Sequence, residues 1–301
     1  MNRRPSMRKI GQEATMTSDK LRMIDETPRL NDGRMVLAFS GWMDGGDVST
    51  GTVKRLVDRL DAQPFAEIEP EGFYIYNFPG DMEVSSLFRP HIKIADGIVQ
   101  SYDPPANRFY CDPQRNLVLF VGKEPHLNWS AFGQCIFEVV ERTGVTQMYY
   151  VGSFGGAVPH TRQPRLYATV SDENLKPAMA RFGLRFSDYE GPGSFTTSLL
   201  TQAARRELRM TSIVAEIPGY LQGMNPPSIE AVTRRLSAIL GLPMDTDAMR
   251  GQSDEWESRV TAAVEENPEL AEQIRKLEEK YDDDLLESPL AGQDGANEVA
   301  E

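Results

Sequence analysis

One pattern occurs three times in this chain and restricts the folds available to it more than any other feature. Residues 148–162 begin with an apolar, aromatic and β-branched run, continue through three glycines, and reach a histidine and an arginine. Residues 36–47 and residues 117–126 repeat this order of apolar run, glycine and polar side chains. Such runs are typical of buried strands, and glycine permits a sharp turn or a close approach to a ligand. The pattern predicts the ligand-facing edge of an α/β sheet.

Strands and helices are predicted to alternate between residues 34 and 245, which we interpret as one α/β domain. Strands are predicted at residues 36–39, 72–77, 117–121, 147–151, 166–170 and 212–217. Helices are predicted after an N-cap at Asp47, from Trp129, around Leu175, after Ser194 and from Ile229. Residues 152–162 are predicted as a loop, and the proline-containing residues 80–115 as short strands and loops. This alternation favours a mostly parallel sheet with helices on both faces and right-handed crossovers.

Both ends of the chain differ from this domain. Residues 1–33 are polar and lack periodicity, so we predict a mobile N-terminal arm. Residues 246–286 are predicted to form an acidic helical extension. Leu270, Ile274, Leu277 and Tyr281 form a narrow apolar seam on it, which must pack on the core or on a neighbouring subunit. Residues 287–301 are predicted to be disordered.

The charge distribution excludes some classes of function. The net charge is −13, but residues 252–301 hold 16 acidic and 4 basic side chains, so the remainder is nearly neutral. Without a basic surplus, nucleic-acid binding is disfavoured. No apolar run approaches the roughly 18 residues of a membrane span. The basic N-terminus lacks the apolar segment of a signal peptide. Together with only two cysteines, Cys111 and Cys135, this predicts reduced thiols and a cytoplasmic protein.

The strand-end loops supply the candidate binding residues, which are Trp42, Asp44, Gly45, Gly46, Glu124, His126, Gly155, Gly156, His160, Arg162, Tyr220 and Asn225. Residues 44–47 precede a predicted helix, and the N-terminus of a helix favours an anion. The two acids in this loop would, however, repel a phosphate. The alternative to an anion site is a purely structural turn. Trp42 is either an interface anchor or a partly buried core residue.

Four of these side chains are candidate reactive or binding groups. Glu124 and His126 are placed for acid/base chemistry, or they simply end a strand. His160 and Arg162 are spaced to bind a carboxylate or phosphate jointly. With three histidines and no zinc spacing, we expect no metal and no cofactor. Ser40, Ser153 and Ser194 lie outside any Gly-x-Ser-x-Gly motif, so a serine hydrolase is disfavoured and no catalytic residue is identified.

Six motifs occur in a fixed order: Phe39-Ser40-Gly41-Trp42 with Asp44-Gly45-Gly46, Gly122-Lys123-Glu124-Pro125 with Trp129, Val158-Pro159-His160-Thr161-Arg162, Tyr189-Glu190-Gly191-Pro192-Gly193, Pro218-Gly219-Tyr220, and Leu277-Glu278-Glu279-Lys280-Tyr281-Asp282. Together they resemble the PAC2 family, most closely its bacterial branch, over about residues 33–285. The resemblance implies a phosphorylase/hydrolase-like α/β fold and relatives that act as proteasome-assembly chaperones in eukaryotes and archaea. It also implies a homo-oligomer, with a trimer as the favoured form, and it brings no agreed catalytic residues.

One departure from the family concerns the C-terminus. Relatives that dock on proteasome rings often end in a hydrophobic-Tyr-X tail, whereas this chain ends Val299-Ala300-Glu301, so we do not expect that docking mode.

Two main hypotheses of function follow. The first is a non-enzymatic oligomeric binding or assembly factor, with a protein partner such as proteasome subunits. The second is a small-molecule enzyme, a hydrolase or phosphorylase, that uses Glu124, His160 and Arg162 with Asp44 nearby. The second predicts that these side chains converge within about 10 Å of a common point, because acid/base groups need hydrogen-bond reach of a substrate. A regulatory ligand-binding protein is the remaining alternative.

Overall fold

The computed structural model describes residues 19–243 and 247–287. Within them, eleven strands are β1 (Leu21–Met23), β2 (Gly33–Ser40), β3 (Gln63–Ile68), β4 (His91–Ala95), β5 (Ile98–Asp103), β6 (Arg108–Asp112), β7 (Leu117–Lys123), β8 (Val145–Gly156), β9 (Arg165–Val170), β10 (Arg185–Phe186) and β11 (Arg209–Pro218). Eight α-helices are α1 (Val48–Leu60), α2 (Met82–Ser86), α3 (Trp129–Thr143), α4 (Lys176–Ala180), α5 (Phe195–Arg205), α6 (Pro226–Leu240), α7 (Asp247–Glu265) and α8 (Pro268–Glu287).

Nine of the strands form one mixed sheet in the order β1-β3-β6-β7-β2-β8-β11-β9-β10. The four central strands, β7, β2, β8 and β11, are parallel to one another. They are continuous apolar runs because both of their faces are covered. On the β7 side the sheet continues through antiparallel β6, β3 and β1, and on the other side β9 runs antiparallel to β11. The predicted fold class is confirmed, with antiparallel strands added at both edges of the parallel core.

Helices cover the parallel strands on both faces. On one face, α3 and α5 place Phe132 and Phe195 against Phe39, whose ring centroid lies 6.2 Å and 5.4 Å from theirs. On the other face, α1 and α6 pack apolar side chains such as Leu56 and Val232 against the opposite side of the same strands. Burial of two apolar layers is the dominant favourable term for a domain of this kind.

Local signals account for several helix boundaries. Ser194 Oγ accepts a hydrogen bond from the Thr197 backbone N–H at 3.2 Å, so the predicted N-cap of α5 is confirmed. Gly144 ends α3 with a φ of 76°, a left-handed conformation that glycine adopts without steric cost. At α1, however, Asp47 makes no side-chain capping bond, and Asp44 instead accepts from the Thr50 N–H at 3.1 Å.

Three predictions of local structure are wrong, and a fourth is incomplete, because residues 80–115 contain the helix α2 besides the predicted short strands and loops. Residues 72–77 are not a strand: Phe73 and Tyr74 are buried, but the Phe73 carbonyl accepts from His126 and Leu127 rather than from a ladder. Aromatic runs indicate burial on a pleated surface more reliably than they indicate backbone pairing. Residues 152–156 are not a loop, because β8 continues through them in register with Val214–Pro218 of β11.

The third difference lies in the predicted N-terminal arm. Residues 1–18 lie outside the described residues, but Leu21–Met23 pairs with β3. A three-residue edge strand is too short to leave a periodic signal. The predicted disordered segment, residues 287–301, lies outside the described residues apart from Glu287, the last residue of α8. Within the described residues, no helix is both long and apolar enough to cross a membrane.

The apolar seam of α8 packs on the chain itself. Ile274 and Tyr281 are buried, and Tyr281 Oη donates to the Gln163 carbonyl at 2.8 Å. Of the two places predicted for the seam, the structure shows the core.

Candidate functional site

The carboxyl ends of β2, β7, β8 and β11 lie along one edge of the sheet because these four strands are parallel. The candidate binding residues belong to the loops that follow these strands or to the end of β8 itself. We call this surface the strand-end edge. In open α/β sheets this is the edge at which ligands bind.

Glu124 connects two loops of the strand-end edge. Its backbone N–H donates to the Ser40 carbonyl at 2.9 Å, directly after β7. Its carboxylate accepts from the Trp42 N–H and from the Phe195 N–H, both at 3.1 Å. Both carboxylate oxygens therefore hold backbone groups of the chain. This role is structural: it positions the exposed Trp42 loop next to the N-terminus of α5.

Asp44 closes the loop between β2 and α1. One carboxylate oxygen accepts from the Thr50 N–H and the other from the Thr50 hydroxyl at 2.8 Å. Burial raises the pKa of Asp44 from 3.8 to about 6, although the Thr50 hydrogen bonds act in the opposite direction. A proton acceptor with a pKa near neutrality is chemically useful, but here its lone pairs are directed into the helix terminus.

The glycines after Asp44 attach this loop to two other elements. The Gly45 carbonyl accepts from Ser153 Oγ of β8 at 2.6 Å, and the Gly46 carbonyl accepts from the Asn225 N–H at 2.9 Å. Gly46 has a φ of 65°, and a Cβ there would lie 2.8 Å from Asn225 Cβ. Asn225 in turn caps α6 by accepting from the Ser228 N–H at 3.0 Å.

Gly155 and Gly156 serve close packing rather than a turn. A Cβ at Gly156 would lie 2.4 Å from the Glu216 side chain, and one at Gly155 would lie 3.0 Å from the Gly219 Cα. Glu216 is buried and accepts from the Ala157 N–H at 2.9 Å. The glycines thus allow a buried carboxylate of β11 to lie over the end of β8.

His126 contacts residues 73–88 rather than another candidate residue. Its Nδ1 accepts from the Ile75 N–H at 3.1 Å, and its ring packs edge-on to Tyr74 and Phe88. Burial, and secondarily the charge of Lys123, lowers the pKa of His126. The side chain therefore favours its neutral form and belongs with residues 73–88.

His160 and Arg162 contact the C-terminal helices. Tyr220 Oη lies 2.8 Å from both the backbone N and Nδ1 of His160, and Nε2 lies 3.2 Å from Thr261 Oγ1 of α7. Burial lowers the pKa of His160, and the charge of Glu278 partly opposes that shift. Arg162 binds Asp282 of α8 through two hydrogen bonds, at 2.9 Å and 2.8 Å. Thr161 also donates to Glu278 of α8.

The structure thus divides the candidate residues outside β8 into three groups, while Gly155 and Gly156 of β8 pack against Gly219 and Glu216. Asp44, Gly45, Gly46 and Asn225 are joined by hydrogen bonds, with Trp42 linked through Glu124. His160, Arg162 and Tyr220 are joined to α7 and α8, and His126 is joined to residues 73–88. Among the described residues, no group of three or more His, Cys, Asp or Glu side chains is arranged to hold a metal ion.

Sequence reasoning missed two sets of residues at this edge. Thr261, Glu278 and Asp282 complete the surroundings of His160 and Arg162. The two acids belong to the sixth motif and to the predicted acidic extension, but the sequence did not indicate them as binding residues. Tyr189 and Met224 are exposed beside the loops, at 73% and 56% of their surface. Their position next to a glycine-rich loop and next to Asn225 is the signal that was available for finding them.

Comparisons with known proteins identify a family and several similar structures. Residues 38–264 match the model of the PAC2 family. A search of curated proteins found no match. The Mycobacterium tuberculosis proteasome-assembly chaperone homologue Rv2125 is similar at 27% identity and a TM-score of 0.70, covering 80% of this chain and 99% of that one.

Two further structures share the fold. A PAC2 family protein from Streptomyces avermitilis is similar at 24% identity and a TM-score of 0.67, covering 80% of this chain and 99% of that one. Pyrococcus furiosus PbaA, an archaeal homolog of proteasome-assembly chaperone, has 15% identity and a TM-score of 0.58, covering 85% and 98%.

Proposed function

The chain belongs to the PAC2 family, and from that premise we propose that it is a non-enzymatic, homo-oligomeric assembly factor that binds a protein partner through the strand-end edge. The family predicted from the six motifs is confirmed. The partner we propose is a proteasome subunit, since the similar structures include proteasome-assembly chaperone homologues.

One observation carries this proposal. At the strand-end edge the polar candidate side chains are engaged within the chain, whereas large apolar side chains are free to solvent. Trp42 is 71% exposed, and Tyr189 and Met224 are exposed to a similar degree. Aromatic side chains and methionine are enriched at protein interfaces, and tryptophan and tyrosine are common anchors there. The edge therefore has the composition of a docking surface.

Hydrogen bonds join the loops that carry these exposed side chains. The Trp42 N–H and the Phe195 N–H share the Glu124 carboxylate, which joins the Trp42 loop to the loop that carries Tyr189. Met224 precedes Asn225, whose N–H binds Gly46. Binding costs less conformational entropy when anchors are already positioned in the free protein.

We assign self-association to a different surface, the hairpin of β4 and β5. Ile92 faces Tyr102 and Ile94 faces Val99, so these four exposed side chains form one apolar face. The opposite face is polar at its open end, where His91 pairs with Asp103 at 3.5 Å and Lys93 faces Ser101, and it carries Ala95 and Ile98 next to the turn. A two-stranded hairpin is marginal alone in water. A closed symmetric assembly covers the same patch on every copy, so we propose a second copy of this chain as the occupant.

The partner proposal is tested by affinity capture from the native lysate with matched variants. Wild-type protein is expected to retain proteasome subunits, and Trp42→Ala combined with Tyr189→Ala is expected to lose them. Met82→Ala on α2, which is also highly exposed, is the control and should retain them. Recovery of nothing but further copies of this chain would contradict a stable partner. Equal recovery with all variants would exclude the strand-end edge as the docking surface.

The self-association proposal is tested by sedimentation velocity. Ile94→Glu should convert the oligomer to monomer, because it places a charge in the apolar face. Lys93→Glu, on the polar face of the same strand, should leave the oligomer intact. A monomeric wild-type protein, or equal behaviour of both variants, would contradict the assignment.

A further inference from the structure

A cleft of about 360 Å³ lies between α1 and the ends of β2 and β7. Helix α1 contributes Thr50, Lys54, Val57 and Asp58, and the strands contribute Ser40 and residues 121–123. Pro105, Ala106, Arg108 and Tyr110 close the remaining side. Neither the candidate binding residues from the sequence nor the proposed anchors Trp42, Tyr189 and Met224 line this cleft, although it lies at the ends of β2 and β7 on the strand-end edge.

The charges that line the cleft have the opposite sign to the chain as a whole. Lys54, Arg108 and Lys123 line it together with a single acid, Asp58, whereas the net charge of the chain is −13. Arg108 lies 3.6 Å from Glu67. Among the described residues, neither lysine has a carboxylate within 4 Å.

Lys123 is the more constrained of the two lysines. It is half-buried, and its ammonium lies 5.9 Å from the centroid of the Tyr74 ring. Burial lowers the pKa of Lys123, because the ammonium has lost part of its hydration without gaining a carboxylate. A half-buried cation of this kind is stabilised by an anion that replaces the lost water.

We propose that this cleft binds a small organic anion, with a phosphate or carboxylate head between Lys54 and Lys123. The Ser40 hydroxyl, which makes no side-chain hydrogen bond within the described residues, is the neutral donor beside them. Pro105, Val57, Tyr110 and Val121 supply an apolar wall for the organic part of the ligand. The volume lies at the lower end of the range of small-molecule pockets, and the position at the ends of two adjacent parallel strands is a usual one for ligands.

The acids near the cleft limit the ligand. Asp58 lines the wall, and the Asp44 carboxylate is directed at Thr50 rather than into the cleft. A ligand with one anionic head fits this arrangement better than a polyphosphate, whose additional charges would meet these acids.

The first test is isothermal titration calorimetry with phenyl phosphate, benzoate and inorganic phosphate at constant ionic strength. We expect phenyl phosphate or benzoate to bind more tightly than inorganic phosphate, because only they contact the apolar wall. The preference between them identifies the head group. Lys54→Met and Lys123→Met should each weaken binding by about tenfold or more, whereas Lys280→Met, at an exposed position of α8, should leave it unchanged. Absence of binding by all three probes, each at a millimolar concentration and a 10-fold excess over the protein, would overturn the proposal. Equal weakening of binding by Lys280→Met would also overturn it.

A second test needs no substitution and so does not depend on the folding of a variant. An amine-acylating reagent is applied to the wild-type protein, and the modified lysines are quantified by mass spectrometry. Phenyl phosphate or benzoate should protect Lys54 and Lys123 but not Lys280. Equal labelling of the three lysines with and without probe would overturn the assignment. The partner-capture experiment is independent of both outcomes.

Discussion

Helix α8 and the β4–β5 hairpin both lie outside the nine-stranded sheet, but they are held in opposite ways. Helix α8 is highly charged, yet Tyr281 is only 6% exposed and Arg162 and Arg165 bind acids along the helix. The hairpin is rich in β-branched side chains, yet Ile94 is 59% exposed. Its ion pair of His91 and Asp103 connects its own two strands.

The composition of a segment therefore does not determine where it packs. The acidic helix is held because basic residues at 162 and 165 match the spacing of its acids, and because one aromatic ring fits beneath it. Arg165 lies 4.4 Å from the centroid of that Tyr281 ring. The apolar hairpin meets no matching surface in the described part of the chain. Exposed apolar faces of this kind mark interaction sites.

The largest expected change in stability comes from loosening the attachment of α8 to the rest of the chain. Tyr281→Ala should lower the free energy of unfolding by about 3 kcal/mol or more, because it removes a buried ring. It also removes a 2.8 Å hydrogen bond to Gln163. Urea denaturation measures the change. Leu286→Ala on the same helix is the control, since Leu286 is 82% exposed and should change stability by less than about 0.5 kcal/mol. Equal effects would show that α8 is not anchored by its seam.

The next largest effect is the dependence of stability on pH that His160 contributes, beneath α7 and α8. The folded-state pKa of His160 is lowered by burial, while the unfolded value is about 6.5. The unfolded state therefore binds more protons between these values, so this contribution to stability is complete above pH 6.5 and is lost as the pH falls. We expect His160→Gln to lose less stability between pH 7.5 and pH 5 than the wild type.

The comparison with the variant is needed because Asp44 acts in the opposite direction. Its pKa in the folded state is about 6, above 3.8, so its contribution is present at low pH and is lost as the pH rises through 6. Asp44 and His126 are common to wild type and His160→Gln, so the difference between the two isolates His160. An identical pH profile for both would contradict a lowered pKa of His160 in the folded state.

A smaller effect should follow from the ion pair of Arg162 and Asp282. These side chains are about one-third and one-half exposed, and solvent weakens such pairs. Arg162→Gln should destabilise the fold less than Tyr281→Ala, and the difference from wild type should shrink as salt rises. Arg275→Gln, which removes a pair made within α8 to Glu272, is the control and should show less effect. A larger effect for Arg275→Gln would show that contacts across to residue 162 do not hold the helix.

The smallest effect on stability is expected for the hairpin. Ile94→Glu should leave the unfolding free energy of the monomer within about 0.5 kcal/mol of wild type, because the side chain is exposed in one copy. The wild-type denaturation midpoint should rise with protein concentration, because self-association stabilises the folded state, and that of the variant should not. A large destabilisation of the variant at low concentration would show that the hairpin packs within its own chain.

Much of the fold was predictable from sequence because its signals are local. Apolar runs located β2, β7, β8 and β11, and an N-cap serine located α5. The flanking strand β3 was missed: its sequence, Gln63–Ile68, contains a proline and a glutamate and pairs antiparallel with β6. Pairing between distant segments leaves no periodic signal in either of them.

The candidate site was predictable to a smaller extent. Sequence order alone placed the loops at one edge, since parallel strands carry their following loops in the same direction. It did not show that Glu124 binds two backbone N–H groups or that Arg162 binds Asp282, 120 residues away. Nor did it indicate the cleft of Lys54 and Lys123, whose lining residues come from separate parts of the chain.

The sequence by itself therefore determined the parallel strands of the core, the helices that cover them and the family, because these follow from short-range patterns of apolar residues, caps and glycines. Only the tertiary structure decided which polar side chains are engaged and which apolar ones remain exposed. That outcome depends on whether two distant segments present matching charges and shapes at hydrogen-bond distance, and the residues of neither segment specify it alone.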